Sequence, residues 1–287
     1  MDYIYLKDVT FTYRGNNKPA LLKINLKIKE GEFVLITGPS GCGKSTLCRL
    51  LNGLIPHFYS GELSGEIKVL GISVIDTPTY ELAKYVGMVF QDPENQLFLS
   101  TVEREIAFGL ENLGLPVKEI KERVEAVISF MGLESIRDKA PYELSGGQQQ
   151  KVAIASVLAM QPRILVLDEP TANLDPYSSM ELLDMIARLN RERKMTIVLV
   201  EHRLEALLDK VSRLIIMDNG RIILNDIPSR VIIDKKAKIV GVPKVIEVYE
   251  KLKNYGIDFG NPPLSPEELV NMIKSRVGAV ERGSRRG

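Results

Sequence analysis

Apolar positions in the first 36 residues come in short alternating or continuous stretches: Tyr3-Ile4-Tyr5-Leu6, Val9–Tyr13, Leu21–Ile28 and Phe33-Val34-Leu35-Ile36. Successive side chains of an extended chain point to opposite faces, so such stretches predict β-strands. Gly15-Asn16-Asn17 and Glu30-Gly31 provide turns between them. The spacing then changes. Leu47, Leu50, Leu51 and Leu54 recur every three or four residues, which predicts a helix with Gly53 as its candidate stop. Strand patterning returns near 66–75 and at Val86-Gly87-Met88-Val89-Phe90.

From about 92 to 160 the periodicity is helical. Ser100-Thr101-Val102-Glu103 predicts a capping box, and 117–131 has one apolar face with charges outside. Ile164–Leu167, bounded by Pro162 and Pro170, and Thr196-Ile197-Val198-Leu199-Val200 are continuous apolar runs. That pattern suits central parallel strands covered on both faces. Strands near 213–217 and 221–224 meet at Asp218-Asn219-Gly220, a hairpin signal. Past about 226, Val242, Val245, Ile246, Tyr249 and Leu252 share one helical face, and Ser265-Pro266-Glu267-Glu268 opens a further helix. The ending, Glu281-Arg282-Gly283-Ser284-Arg285-Arg286-Gly287, is expected to fray. No internal repeat is visible. This succession predicts an α/β fold that is helical from about 92 to 160 and changes pattern past about 226.

Composition removes some classes of function. The 287 residues fit one large domain with a modest appendage. Lys and Arg number 38 against 37 Asp and Glu, a formal net charge of +1, so no global field favours nucleic acid or acidic lipid. The two cysteines, Cys42 and Cys48, flank a glycine-rich loop, which argues against a structural disulfide and for a reducing cytosol. The sequence opens in strand pattern without a leader-like segment, and no stretch approaches the roughly 18 apolar residues that span a bilayer. A role in a membrane process is therefore expected at the cytoplasmic face, through other chains.

The densest chemistry lies in Gly38-Pro39-Ser40-Gly41-Cys42-Gly43-Lys44-Ser45-Thr46, a complete Walker A phosphate-binding loop. Glycines are needed because backbone N–H groups must approach phosphate oxygens closely, some with dihedrals that a Cβ forbids. Lys44 then reaches the β- and γ-phosphates of ATP, and the Ser45 hydroxyl ligates Mg²⁺. Strand 33–36 leads in and a helix leads out, so the phosphates lie at a helix N-terminus. Ile164–Leu167 followed by Asp168 and Glu169 fits a Walker B strand. Asp168 holds Mg²⁺ in this reading, and Glu169 polarises the attacking water, a role worth about 10²–10⁴-fold. Acids at a strand end are common by themselves; the upstream phosphate loop gives these two their meaning.

With these motifs in place, Leu144-Ser145-Gly146-Gly147-Gln148 resembles the signature of ATP-binding-cassette (ABC) ATPases. Ser145-x-x-Gln148 is also a capping box, and the two readings are compatible because a glycine-bearing helix N-terminus is an anion site. The resemblance implies a P-loop NTPase ABC cassette over 1–225 with a RecA-like core, an antiparallel β subdomain and a helical signature subdomain at about 92–160, followed by a C-terminal helical extension at 226–287. It also implies that Ser145, Gly146, Gly147 and Gln148 of one subunit cap the nucleotide held by the other. Tyr13 resembles the aromatic that stacks on adenine, Gln91 the glutamine that touches Mg²⁺ and the attacking water, and His202 the switch histidine. Asn173-Leu174-Asp175 resembles the D-loop, with Asn173 where many relatives have a small residue and Asp175 counted among the nucleotide contacts. His202 is flanked by Glu201 and Arg203, where Thr and Asp are frequent.

Phe90-Gln91-Asp92-Pro93-Glu94-Asn95-Gln96-Leu97-Phe98, with Thr101-Val102-Glu103 and Ile106-Ala107-Phe108-Gly109, is similar to the ATPases of energy-coupling-factor (ECF) transporters. Leu51-Asn52-Gly53-Leu54-Ile55-Pro56-His57 and Gly241-Val242-Pro243 are similar to that group too. The resemblance implies a peripheral ATPase at the cytoplasmic face of a prokaryotic membrane. Its implied partners are itself or a homologous ATPase in a head-to-tail dimer, a transmembrane coupling protein and a substrate-binding membrane component, without nucleic acid. Gln96 and Leu97 are expected to anchor the membrane partner. The transported substrate, a metal ion or vitamin-like micronutrient, is selected elsewhere. The ATPase subunit of another ABC importer subgroup is the alternative. A DNA-repair or chromosome-structure ATPase needs a long coiled coil between the Walker motifs, and only about 120 residues without heptads separate Lys44 from Asp168. A translation-associated protein of this kind normally carries two cassettes in one chain, and a purely regulatory module would lack Glu169 or the signature.

Overall fold

The computed structural model describes residues 2–284. β1 (Asp2–Tyr13), β2 (Leu21–Lys29) and β3 (Phe33–Thr37) lead into α1 (Lys44–Leu51) and the short α2 (Leu54–His57). β4 (Gly61–Val69), β5 (Ile72–Ser73), α3 (Thr79–Leu82) and β6 (Val86–Val89) follow. A helical stretch comes next: α4 (Val102–Asn112), α5 (Val117–Met131) and α6 (Gly146–Ala159). β7 (Ile164–Asp168), α7 (Pro176–Arg193), β8 (Thr196–Val200), β9 (Arg213–Asp218) and β10 (Arg221–Asp226) complete the sheets. The chain ends in α8 (Pro228–Val231), α9 (Lys244–Asn254) and α10 (Pro266–Ser284).

Two sheets form. An antiparallel sheet has the order β2-β1-β4-β5, and a six-stranded sheet the order β10-β9-β3-β8-β7-β6. In the second, every pairing is parallel except that of β10 with β9. The continuous apolar runs explain why. Leu35, Leu165, Leu167, Ile197 and Leu199 face an apolar cluster shared with α4–α7, while Val34, Ile36, Val166, Val198 and Val200 face one shared with the antiparallel sheet and α1. Alternation by two thus splits each run between two cores, so both faces are covered. Val231, Ile232, Val245, Ile246 and Leu269 of the C-terminal elements join the first cluster.

Three local expectations change. The N-terminal stretches 3–6 and 9–13 are one strand, with a register shift between Leu6 and Val9 and Asp8 at φ 50°. That bulge returns Val9 to the buried face after two exposed residues. Thr101 rather than Ser100 caps α4, its hydroxyl accepting from Arg104 N–H. Glu103 is drawn away from a capping box by Arg137, 2.7 Å off, and Glu105 instead accepts from Phe98 and Leu99 N–H. Lastly, α10 runs to Ser284, so residues 281–284 of the expected fraying tail are helical, and 285–287 lie outside the described residues. The hairpin at Asn219-Gly220 forms as expected, both residues having positive φ (46° and 74°).

Candidate functional site

Four loops leave the carboxyl ends of neighbouring parallel strands. Ile36 lies opposite Val200, Val200 opposite Asp168, and Leu167 opposite Val89. This register brings the residues that follow β3, β8, β7 and β6 to one rim of the sheet, where open α/β sheets bind ligands.

After β3 the chain turns through the glycine loop. Gly43 has φ 107°, and a Cβ there would lie 2.4 Å from the Ala20 carbonyl oxygen; one on Gly38 would lie 2.2 Å from that of Met217. Neighbouring backbone therefore reserves both positions for glycine. Lys44 Nζ donates to the Gly38 and Pro39 carbonyls at 3.0 and 3.3 Å, which folds the ammonium over the loop. Ser45 Oγ donates to Asp168 Oδ1 at 3.1 Å. Burial pushes the Asp168 carboxyl above its usual range, with the Ser45 hydroxyl acting against it. Cys42 and Cys48 are free and buried, and burial raises both thiols, Cys48 well above the ordinary value.

Glu169 follows β7 at φ 51°, in the left-handed region that a non-glycine residue occupies only under constraint. Its N–H donates to Val200 O at 3.0 Å, and its carbonyl accepts from Ala172 at 3.2 Å. Oε1 lies 3.0 Å from His202 Nε2 and 3.7 Å from Lys44 Nζ. In the Nε2–H tautomer the imidazole donates to it. Thus Lys44, Ser45, Asp168, Glu169 and His202, read from separate motifs, meet within one small volume.

Other expected residues are placed differently. Tyr13 is half-buried beside α1, its hydroxyl 3.1 Å from Thr46 Oγ1 and accepting from Arg49 at 3.2 Å. The Arg49 guanidinium also stacks 4.7 Å over Tyr59. Sequence reasoning missed Arg49; its one signal is a cation set among the apolar positions Leu47, Cys48, Leu50 and Leu51. Gln91 is exposed and lines a cavity of about 260 Å³ with Gly146, Gln150 and Asn173. Among the described residues no hydrogen bond joins it to Ser45 or Asp168. Asp175 caps α7, accepting from Tyr177 and Ser178 N–H at 2.9 and 3.0 Å, and the Ser178 hydroxyl above all holds its carboxyl below the usual range. Asn173 donates to Asp92 at 2.9 Å.

The signature residues form their expected capping box. Gln148 N–H donates to Ser145 Oγ, and Gln148 Oε1 accepts from Ser145 N–H at 3.1 Å. Ser145 and Gly146 are exposed, and among the described residues no hydrogen bond ties this turn to Gly38, Ser40, Gly41, Cys42, Gly43 or Lys44 of the same chain. Gln96 turns inward, its Oε1 accepting from Phe90 N–H at 3.3 Å. Leu97, expected to contact a partner, is 9% exposed and part of the core. The exposed position belongs to Phe98, which stands edge-to-face with Phe108 at 5.0 Å. Gln96, Phe98, Phe108 and Tyr80 border one open groove.

The sequence profile of the family described as ABC transporter matches residues 21–172. A protein of Methanosarcina acetivorans, provisionally named an ABC transporter ATP-binding protein, is 45% identical over 273 residues, or 94% of this chain and 42% of its own length. A protein of the same provisional name from Pyrococcus horikoshii is 43% identical over 277 residues, or 96% of this chain and 97% of that one. The chain therefore spans less than half of the first relative and nearly all of the second. Among solved structures, cbiO1 of Clostridium perfringens, part of the ABC transporter complex cbiONQ, matches with a TM-score of 0.74 at 35% identity, over 89% of this chain and 98% of that one. The ATP-binding cassette MJ0796, solved as a dimer bound to ADP and Pi, gives 0.69 at 33% identity, over 78% and 98%. Matched over most of its length in sequence and in fold, with the phosphate loop and its acidic partners assembled at the strand ends, the chain belongs to the ABC transporter family.

Proposed function

We propose that the chain is the ATP-hydrolysing, energy-coupling subunit of an ECF-type membrane importer, acting as a head-to-tail pair to drive uptake of a metal ion or vitamin-like micronutrient. The observation that carries the hydrolytic part of this reading is the convergence on Glu169. One of its carboxylate oxygens faces both the His202 imidazole and the Lys44 ammonium, next to the contact of Ser45 with Asp168.

The loop amides and Lys44 hold the β- and γ-phosphates. Glu169 takes a proton from a water whose oxygen attacks the γ-phosphorus, and the bond to the β-phosphate oxygen breaks, leaving ADP. His202 orients Glu169 and reaches the γ-phosphate. Most of the acceleration comes from positioning and charge stabilisation. The Ser45 hydroxyl and the Asp168 carboxylate are hard oxygen donors in contact, the kind Mg²⁺ takes, and that ion supplies neutralisation of phosphate charge when bound. Among the described residues no group of three or more His, Cys, Asp or Glu is placed to hold a metal alone, as befits an ion that shares its shell with phosphates and water. Gly146 and Gly147 open α6 with amides that have no intrahelical acceptor, which suits them to a γ-phosphate held by a second copy.

The membrane partner is assigned to the groove bordered by Phe98, Phe108 and Tyr80. Phe98 and Tyr80 are 65% and 69% exposed, and large apolar surface in a groove marks a contact site. The likeness to cbiO1, part of a transporter complex, supports the same reading. Phe98→Ala should leave ATP hydrolysis by the isolated protein within about twofold, and should weaken the assembled complex by about 2 kcal/mol or more. Paired measurement of hydrolysis and substrate uptake tests this. Equal loss of both would move Phe98 into the catalytic site, and loss of neither would leave the groove without a partner.

A further inference from the structure

We propose that Glu201 is a positioning residue for hydrolysis: a buried carboxylate that clamps the His202 loop to the turn between Glu169 and Asp175. The proposal rests on the reading of Glu169 and His202 given above.

Glu201 follows β8 directly and is 3% exposed. Its N–H donates to Ile36 O at 3.2 Å, which pins it to the strand that feeds the glycine loop. Carboxylate Oε1 accepts from the N–H groups of His202 and Arg203 at 2.8 and 3.3 Å. Oε2 accepts from the hydroxyl of Thr171, which is fully buried. All three donors are neutral. A carboxylate buried among neutral donors is costly, and an apolar residue serves a core better, as Val200 does one position earlier. The acid is explained by what it holds.

On one side it fixes the backbone of His202, whose Nε2 meets Glu169 at 3.0 Å. On the other it fixes Thr171, inside a turn that starts at Glu169: Ala172 N–H donates to Glu169 O and Leu174 N–H to Thr171 O. Arg203 adds a second tie, its guanidinium donating to Leu174 O at 3.3 Å. Glu169, at a backbone angle it adopts only under constraint, is therefore held between two loops joined through one side chain. Among the described residues no side-chain hydrogen bond joins Glu201 to residues 38–46 or to Glu169, so it acts through His202 and the turn at 171–174. The clamp also makes the turn at 171–174 and the His202 loop move together. Packing of a second copy against the exposed start of α7 would thus reach the catalytic pair.

The test uses the full chain and measures kcat, KM, binding of trinitrophenyl-ATP and melting temperature. Misplacing a catalytic group by about 1 Å costs about 100-fold, so Glu201→Ala and Thr171→Val should lower kcat by about 10- to 100-fold. Nucleotide binding should stay within about twofold, Thr171→Ser should restore most turnover, and the double variant should be no slower than the slower single one. If Glu201→Ala does not fold, Glu201→Gln and Thr171→Val carry the same comparison at nearly native volume. Turnover within about threefold of wild type in the folded variants overturns the proposal, provided that Glu169→Gln and His202→Ala lose theirs. So does a fall in kcat that only tracks the folded fraction. Should Glu169→Gln and His202→Ala also keep turnover, the reading of the catalytic pair itself fails, which is a different result.

Discussion

Glu169→Gln separates binding from chemistry at this site. The substitution keeps the size of the side chain and the backbone at φ 51°, a conformation glutamine and glutamate tolerate equally badly, so the melting temperature should hardly move. The amide still accepts a hydrogen bond from His202 but takes no proton from water. Losing a general base lowers turnover by about 10²–10⁴-fold, or about 3–5 kcal/mol of barrier. Binding should change in the opposite direction. Lys44 Nζ lies 3.7 Å from Glu169 Oε1, a gross attraction of about 4–5 kcal/mol at an effective dielectric of about 20. Desolvation and screening leave about 1 kcal/mol or less of that. Removing the carboxylate frees Lys44 for the phosphates, so ATP affinity should hold or tighten by up to about fivefold. Single-turnover phosphate release, nucleotide titration and gel filtration with Mg-ATP check the three parts, and an ATP-bound dimer should accumulate. Turnover within about threefold of wild type would refute the base assignment.

Other expected outcomes are shorter to state. Mixing Ser145→Arg with Lys44→Ala subunits should restore part of the hydrolysis that each lacks alone, because the proposed composite site draws Lys44 and Ser145 from different chains; full activity of Ser145→Arg by itself would rule out sharing. Gly43→Ala places a Cβ 2.4 Å from Ala20 O at positive φ, and should cost about 2 kcal/mol or more of stability with loss of nucleotide binding, read from a urea midpoint and a titration. Leu97→Asp should destabilise the chain by about 3 kcal/mol or more, because it puts a charge into the core, whereas a denaturation midpoint like the wild type's would contradict that burial. Burial raises the thiols of Cys42 and Cys48, so less thiolate exists at a given pH than in the unfolded chain. Iodoacetamide should label them slowly near neutral pH and faster as pH rises, and rapid labelling of the native protein at neutral pH would contradict it.

The parallel sheet was legible because its strands are buried on both faces, which leaves runs such as Ile164–Leu167 without polar interruption. The glycine loop was legible as a turn that needs its glycines, and the structure shows neighbouring carbonyls leaving glycine no substitute at Gly38 and Gly43. Residues whose work depends on a third dimension were harder to see. Leu97 reads as an anchor for a membrane partner, yet the chain turns it into the core and presents Phe98 instead, because Glu105 folds back on the amides of 98 and 99. Arg49 is a helix surface residue in one dimension and the partner of Tyr13 in three. Glu201 stood out only as an unusual neighbour of His202. Its partner, Thr171, is 30 positions away in the chain, a contact no local pattern encodes.

These contacts also explain how a site of this kind can report on its surroundings. Gln91 and Asp92 follow β6 and lie at the edge of the helical stretch, where Asp92 accepts from Asn173. Asn173 belongs to the turn that holds Thr171, and Thr171 is bound to Glu201, which fixes His202 against Glu169. The series is a run of hydrogen bonds between short loops, each loop anchored at a strand end. The strands fix where the proposed chemistry happens, while the loops carry the alignment of Glu169 with His202. Physical coupling needs an element with two arrangements that both ends can bias. The Asp92–Asn173 contact is exposed and the Glu201–Thr171 contact is buried, so the outer link can break while the inner one persists. Opening at the helical stretch would then loosen Asn173 first. Glu169 and His202 would lose their alignment only when the turn at 171–174 moves as a whole, which would make hydrolysis in the proposed head-to-tail dimer sensitive to its closure rather than to nucleotide binding alone.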